Sequence, residues 1–167
     1  PADLPPVADL GVVDASTPII GEVMNLLARR NLLYEIVTSP SSRYRVNIAV
    51  GSREYPLEDA ADPSAFALKI RRQLTDEQRT LRIYGSEVVI GRLTRDAARI
   101  RLHLINYGGR EIEGLRVRIR IPAATGHALT FGAGRVELTD YAVADGATEF
   151  SLPRLGVYAV IDLSADR

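Results

Sequence analysis

The sequence predicts an α+β chain: a small α/β half of βαβ type over residues 1–80, followed by an antiparallel β-sandwich over residues 81–167. Three observations carry that expectation. Up to about residue 83, short apolar runs alternate with segments of helical period. From about Leu81 onward, apolar and polar residues alternate one by one. Gly-containing turns interrupt this second pattern at intervals of about 8 to 12 residues, as in sandwiches.

The elements follow in order. The run Val7-Ala-Asp-Leu-Gly-Val-Val reads as a first strand and ends at Asp14-Ala-Ser-Thr-Pro. There Thr17 suits a helix cap and Pro18 the first helical position, where a missing N–H costs no intrahelical bond. Ile19, Ile20, Val23, Met24 and Leu27 wind onto one face, and Asn31 suits a left-handed end. Leu32–Val37 reads as the next strand. Strand, helix and strand in this compass make a βαβ unit with parallel strands. A third strand is expected over Tyr44–Val50. Asp62-Pro63-Ser64 repeats the cap-then-proline signal before a stripe of Phe66, Ile70 and Leu74, and Thr75-Asp-Glu-Gln is a turn.

In the second half Ile100, Leu102 and Leu104 point one way, with Arg99, Arg101 and His103 the other. After Gly108-Gly109, Leu115, Val117, Ile119 and Ile121 oppose Arg116, Arg118 and Arg120. Further strands are expected at Ser86–Thr94, His127–Phe131, Arg135–Thr139, Thr148–Leu152 and Val157–Leu163. That makes about seven short strands, more apolar faces than one twisted sheet can cover, so two sheets are expected to pack together. No linker separates the halves, which are expected to pack directly.

Composition limits the chemistry. Lysine plus arginine number 21, aspartate plus glutamate 21, so no global field steers the chain to nucleic acid. Cysteine is absent, which excludes disulfides, thiolate metal sites and a cysteine nucleophile. No apolar run reaches the roughly 18 residues of a membrane span. The start, Pro1-Ala-Asp-Leu-Pro-Pro, lacks a signal pattern and an initiator methionine, so the chain is expected to be processed or cut from a longer protein.

Candidate sites are few. The loop carrying Asp14, Ser16 and Thr17 lies after a strand and before a helix, where open α/β sheets bind ligands and helix N–H groups attract anions; helix capping is the competing role. No Gly-rich phosphate loop is present. His103 and His127 are the only histidines, too few for an ordinary zinc site, so no metal and no cofactor are expected. Glu54, Glu58, Asp59 and Asp62 gather around a turn and helix start, where carboxylates meet the helix dipole. Arg99, Arg101, Arg116, Arg118 and Arg120 are expected to form one exposed strip that docks an acidic partner or pairs with Glu111, Glu113 or Glu137. Tyr44, Tyr55, Tyr107 and Tyr141 could stack on sugar rings.

The segments Arg101-Leu-His-Leu-Ile-Asn-Tyr-Gly, Gly114-Leu-Arg-Val-Arg-Ile and Leu152-Pro-Arg-Leu-Gly-Val-Tyr-Ala-Val-Ile-Asp-Leu resemble the terminal β-sandwich appended to many bacterial glycoside hydrolases and related secreted proteins. The earlier half, with Gly21-Glu-Val-Met-Asn-Leu-Leu-Ala-Arg-Arg-Asn and Tyr34-Glu-Ile-Val, is similar to the tail of the glutamine-amidotransferase-like α/β module that precedes such sandwiches in β-galactosidase-type proteins. That family's cysteine nucleophile has no match, so the resemblance carries over no catalytic residue. It implies an exported bacterial protein, periplasmic or extracellular, in which this chain is a non-catalytic accessory region. The partners expected are other domains of the same parent chain, a carbohydrate, or a second copy forming a homo-oligomer, with no nucleic acid and no membrane span. A carbohydrate-binding module is the alternative, and a carboxylate-based hydrolase the third reading.

Overall fold

Residues 4–165 are described by a computed structural model. The described residues are β-rich, with twelve strands and two α-helices. They divide into two compact units: Ala8–Arg79, and residues 80–165 together with residues 4–7.

In the first unit, β1 (Leu10–Val13), α1 (Pro18–Arg29) and β2 (Tyr34–Val37) form a parallel βαβ unit. β3 (Val46–Ile48) adds to the other side of β1, giving the order β2-β1-β3. A 3-10 turn at Leu57–Ala61 leads into α2 (Pro63–Gln73). The helices begin at the two prolines that the sequence singles out, but they are capped differently. Asp62 accepts from the N–H groups of Ser64 and Ala65, both at 3.1 Å, whereas Thr17 makes no side-chain cap bond. Asn31 takes the left-handed conformation after α1, at φ 54°. Arg79 then donates from Nη2 to the Arg30 carbonyl at 2.7 Å, satisfying an acceptor that the helix leaves over. Leu10, Val12, Ile20, Val23, Leu27, Ile48, Phe66 and Ile70 form the core. On the other side of β1 the residue is Gly11, because a Cβ there would stand 2.8 Å from Tyr44 Cδ2.

The second unit has two antiparallel sheets. One joins β4 (Leu81–Tyr84), β7 (Ile112–Ile119), β10 (Thr139–Ala144) and β11 (Ala147–Leu155) in the order β10-β11-β7-β4. The other joins β5 (Val89–Arg95), β6 (Arg99–Asn106), β8 (Ala123–Thr130), β9 (Gly134–Val136) and β12 (Tyr158–Ala165) in the order β5-β6-β12-β8-β9. The sheets meet through buried residues, among them Leu81, Leu102, Leu104, Val117, Phe150, Leu152 and Ile161. At Gly91 the approach is close enough that a Cβ would lie 2.7 Å from Leu81 Cδ2. Thr148 on β11 ties in the start of β8: its hydroxyl donates to the Ile121 carbonyl and accepts from Ala123 N–H, each at 2.8 Å.

Two differences from the sequence reading have physical causes. The stretch Val7–Val13 is not one strand: residues 5–7 pair instead with the edge strand β5, through Val7 N–H to Leu93 O and Arg95 N–H to Pro5 O, both at 2.9 Å. Strand β10 gives little sequence signal because all but one of its residues are exposed at the sheet edge.

Candidate functional site

The loop after β1 is built as an Asx turn. Asp14 Oδ1 accepts from Ser16 N–H at 2.8 Å, and Ser16 is held at φ 52°. Asp14, Ser16 and Thr17 are all exposed, at the C-terminal end of the central parallel strand and the N-terminus of α1. The structure thus brings the three together, with Asp14 engaged in shaping the turn.

The five arginines do not form one strip. Arg99 and Arg101 stand on β6 of the five-stranded sheet, while Arg116 and Arg118 stand on β7 of the four-stranded sheet, with Arg120 just beyond it. Alternation fixes which side of its strand each faces, but β6 and β7 belong to opposite layers, so the two sets point outward in opposite directions. Nor do the partners match those expected. Arg116 and Arg118 share Glu149, at 3.0 and 3.4 Å, and Arg116 also donates to the Asp140 carbonyl at 2.8 Å. Arg99 pairs with Asp96 at 3.3 Å. Arg101 pairs with Asp162 at 2.6 and 2.8 Å through both Nε and Nη2. The hydrogen bonds from Arg101 hold the Asp162 carboxyl below its ordinary range. Glu111 and Glu113 are taken up by Arg154, and Glu137 by Arg135.

The four tyrosines form no common platform. Tyr55 lies in the core of the first unit with its hydroxyl on Gln73, and burial pushes it up to about 12. Tyr44 covers Gly11 and donates to Glu35 at 2.6 Å, which with burial raises its pKa. Tyr141 stacks on Phe150 and donates to the Ala123 carbonyl at 2.8 Å. Tyr107 is half exposed at the end of β6, with its hydroxyl on the Glu87 carbonyl at 2.9 Å.

Both histidines stand on the outer face of the five-stranded sheet, on either side of β12: His103 pairs across to Val160, and His127 to Asp162. His103 Nδ1 lies 2.6 Å from the Tyr158 hydroxyl. Next to them runs an apolar band absent from the sequence reading. Ile90, Ile105 and Tyr158 are neighbours across β5, β6 and β12; Val160 and Leu129 are neighbours across β12 and β8; and Phe131 bonds to Tyr158 through its backbone. Ile105 is 49% exposed, Leu129 50% and Phe131 78%, large values for apolar side chains that share one face. A signal was present: Ile105 breaks the alternation of β6 by placing an apolar side chain in phase with Arg101 and His103.

The carboxylates of the first unit have structural partners too. Asp59 pairs with Lys69 at 2.9 Å, Glu54 accepts from Gln73 at 2.8 Å, and Asp62 caps α2. Among the described residues no group of three or more His, Asp or Glu side chains is placed to hold a metal ion, and no helix is long and apolar enough to cross a membrane.

No protein-family model and no curated protein matches the chain. Solved structures do. The chain is similar to α-L-fucosidase isoenzyme 2 from Paenibacillus thiaminolyticus, with a TM-score of 0.77 at 10% identity over 99% of this chain and 50% of that one. It also has weaker likenesses to a rhamnosidase from Novosphingobium sp. PP1Y, TM-score 0.46 at 18% identity over 60% of this chain and 10% of that one. A family 30 xylanase, Xyn30A from Clostridium acetobutylicum, scores 0.36 at 8% identity over 93% and 41%. These structure neighbours are glycoside hydrolases by name, and the first establishes that this fold occurs within such a protein. The chain spans half the length of the fucosidase.

Proposed function

We propose that this chain is a non-catalytic accessory region of a larger carbohydrate-active bacterial protein, exported from the cell, in which it supports or docks a neighbouring domain. The observation that carries the reading is the fold likeness to the fucosidase: nearly all of this chain is matched, by only half of that one. Fold alone does not assign chemistry, and function must come from the site. Here the acidic side chains support an architectural role, since Asp62 caps a helix, Asp14 and Asp96 shape turns, and Glu149 and Asp162 hold arginines.

The test is hydrolysis of aryl fucosides, rhamnosides and xylosides by the purified chain. No turnover above the uncatalysed rate is expected. Saturable hydrolysis abolished by Asp14→Asn or Glu87→Gln would overturn the reading in favour of a carboxylate-based hydrolase. A carbohydrate-binding module is the second reading, favoured by Phe131 and Tyr107, two exposed rings at the same end of the five-stranded sheet. Saturable retention on immobilised glycans, lost in Phe131→Ala, would select it.

A further inference from the structure

The two outer faces of the sandwich differ in kind. That of the four-stranded sheet carries Arg82, Arg116, Arg118, Glu149 and Ser151 in cross-strand register, a polar and ion-paired surface. That of the five-stranded sheet carries the contiguous band Ile90, Ile105, Tyr158, Val160, Leu129 and Phe131. Beside it stand Arg92, Arg99, Arg101 and Arg135, facing the same way as a single carboxylate, Asp162; Asp96 and Glu137 in the adjoining turns pair with two of them. Exposed aromatic and aliphatic side chains flanked by arginines are the composition of a protein-binding surface.

We propose that this face seats a neighbouring domain of the same parent chain, one that presents an apolar surface to the band; the inference rests on the accessory reading above. Area selects that occupant. Five strands about 4.8 Å apart, exposed over some 20 Å of their length, give roughly 500 Å². A stable complex between free proteins needs about 800 Å² from each side. Interfaces between domains of one chain are often smaller, about 300–750 Å² per side, because the covalent link supplies a high effective concentration.

Hydroxyl-radical footprinting of this 167-residue chain beside the protein encoded by its complete gene tests the proposal. Labelling of Phe131, Tyr158 and Leu129 should fall several-fold in the complete protein, while Val143, exposed on the other sheet, is unchanged. Leu129→Glu with Phe131→Asp should restore labelling of Tyr158 there and leave the melting temperature of the 167-residue chain unaltered. Equal labelling in the two proteins, or a complete gene that encodes nothing more, overturns the proposal. So does protection already present in the 167-residue chain that disappears on dilution, the mark of a second copy. Glycoside turnover by the 167-residue chain would instead sink the accessory reading, whatever the footprint.

Discussion

Asp162 on β12 receives both Nε and Nη2 of Arg101 on β6, at 2.6 and 2.8 Å, so the two strands are joined by a fork as well as by their ladder. The pair is only partly covered, at 30% and 25% exposure. Its geometry is nevertheless the bidentate kind that keeps its energy better than a single contact.

The first prediction concerns acid. Asp162 has its pKa lowered by the Arg101 hydrogen bonds, so in the folded state it holds its charge to lower pH than in the unfolded chain. A lowered folded pKa contributes stability above the unfolded value, about 3.9, and that contribution is lost as pH falls through the folded one. Asp162→Asn should therefore cost about 1–2 kcal/mol at neutral pH, with the gap in urea midpoint from the native protein narrowing below about pH 4. A gap independent of pH would show that the carboxylate charge contributes nothing.

Thr148 supplies a second prediction. Fully buried, it bonds both the Ile121 carbonyl and the Ala123 amide. Thr148→Val keeps the shape but strands the amide, and should destabilise by about 1–3 kcal/mol. Thr148→Ser keeps the hydroxyl and should cost less, about 1 kcal/mol for the lost methyl. Urea unfolding of both variants checks the order; the reverse order would mean that packing outweighs the hydrogen bonds.

The third prediction concerns the edge of the five-stranded sheet. Removing residues 1–7 frees the Arg95 amide, which donates to Pro5, and bares the outer edge of β5. The truncated chain should still fold, with fast amide exchange at Arg95, unchanged exchange at Leu102, and association that grows with concentration. Continued protection at Arg95 would show that this strap of residues 5–7 is not what protects it.

Much of the first unit was legible because its signals are local. Pro18, Asp62-Pro63 and Asn31 mark helix ends within a few residues, and the parallel strands follow from the length of the crossover. The arginine strip failed for the opposite reason. Parity tells which way Arg101 and Arg118 face on their strands, but not that β6 pairs with β5 and β12 while β7 pairs with β4 and β11. The turn at Gly108-Gly109 looks like a hairpin and instead carries the chain from one layer to the other. The tyrosines were misjudged because a residue count cannot separate Tyr55, in the core, from Tyr107, at the surface.

The strap has a consequence for the order in which the chain assembles. Residues 5–7 leave the ribosome before their partners Leu93 and Arg95, which emerge only after all of Ala8–Arg79 has been made. Closing a loop of that length as free coil carries an entropy cost that grows with the logarithm of its length. If Ala8–Arg79 folds while synthesis continues, most of that loop is already compact when β5 appears, and the closure left to pay for is shorter. Slowing the folding of Ala8–Arg79 should then delay protection of Arg95.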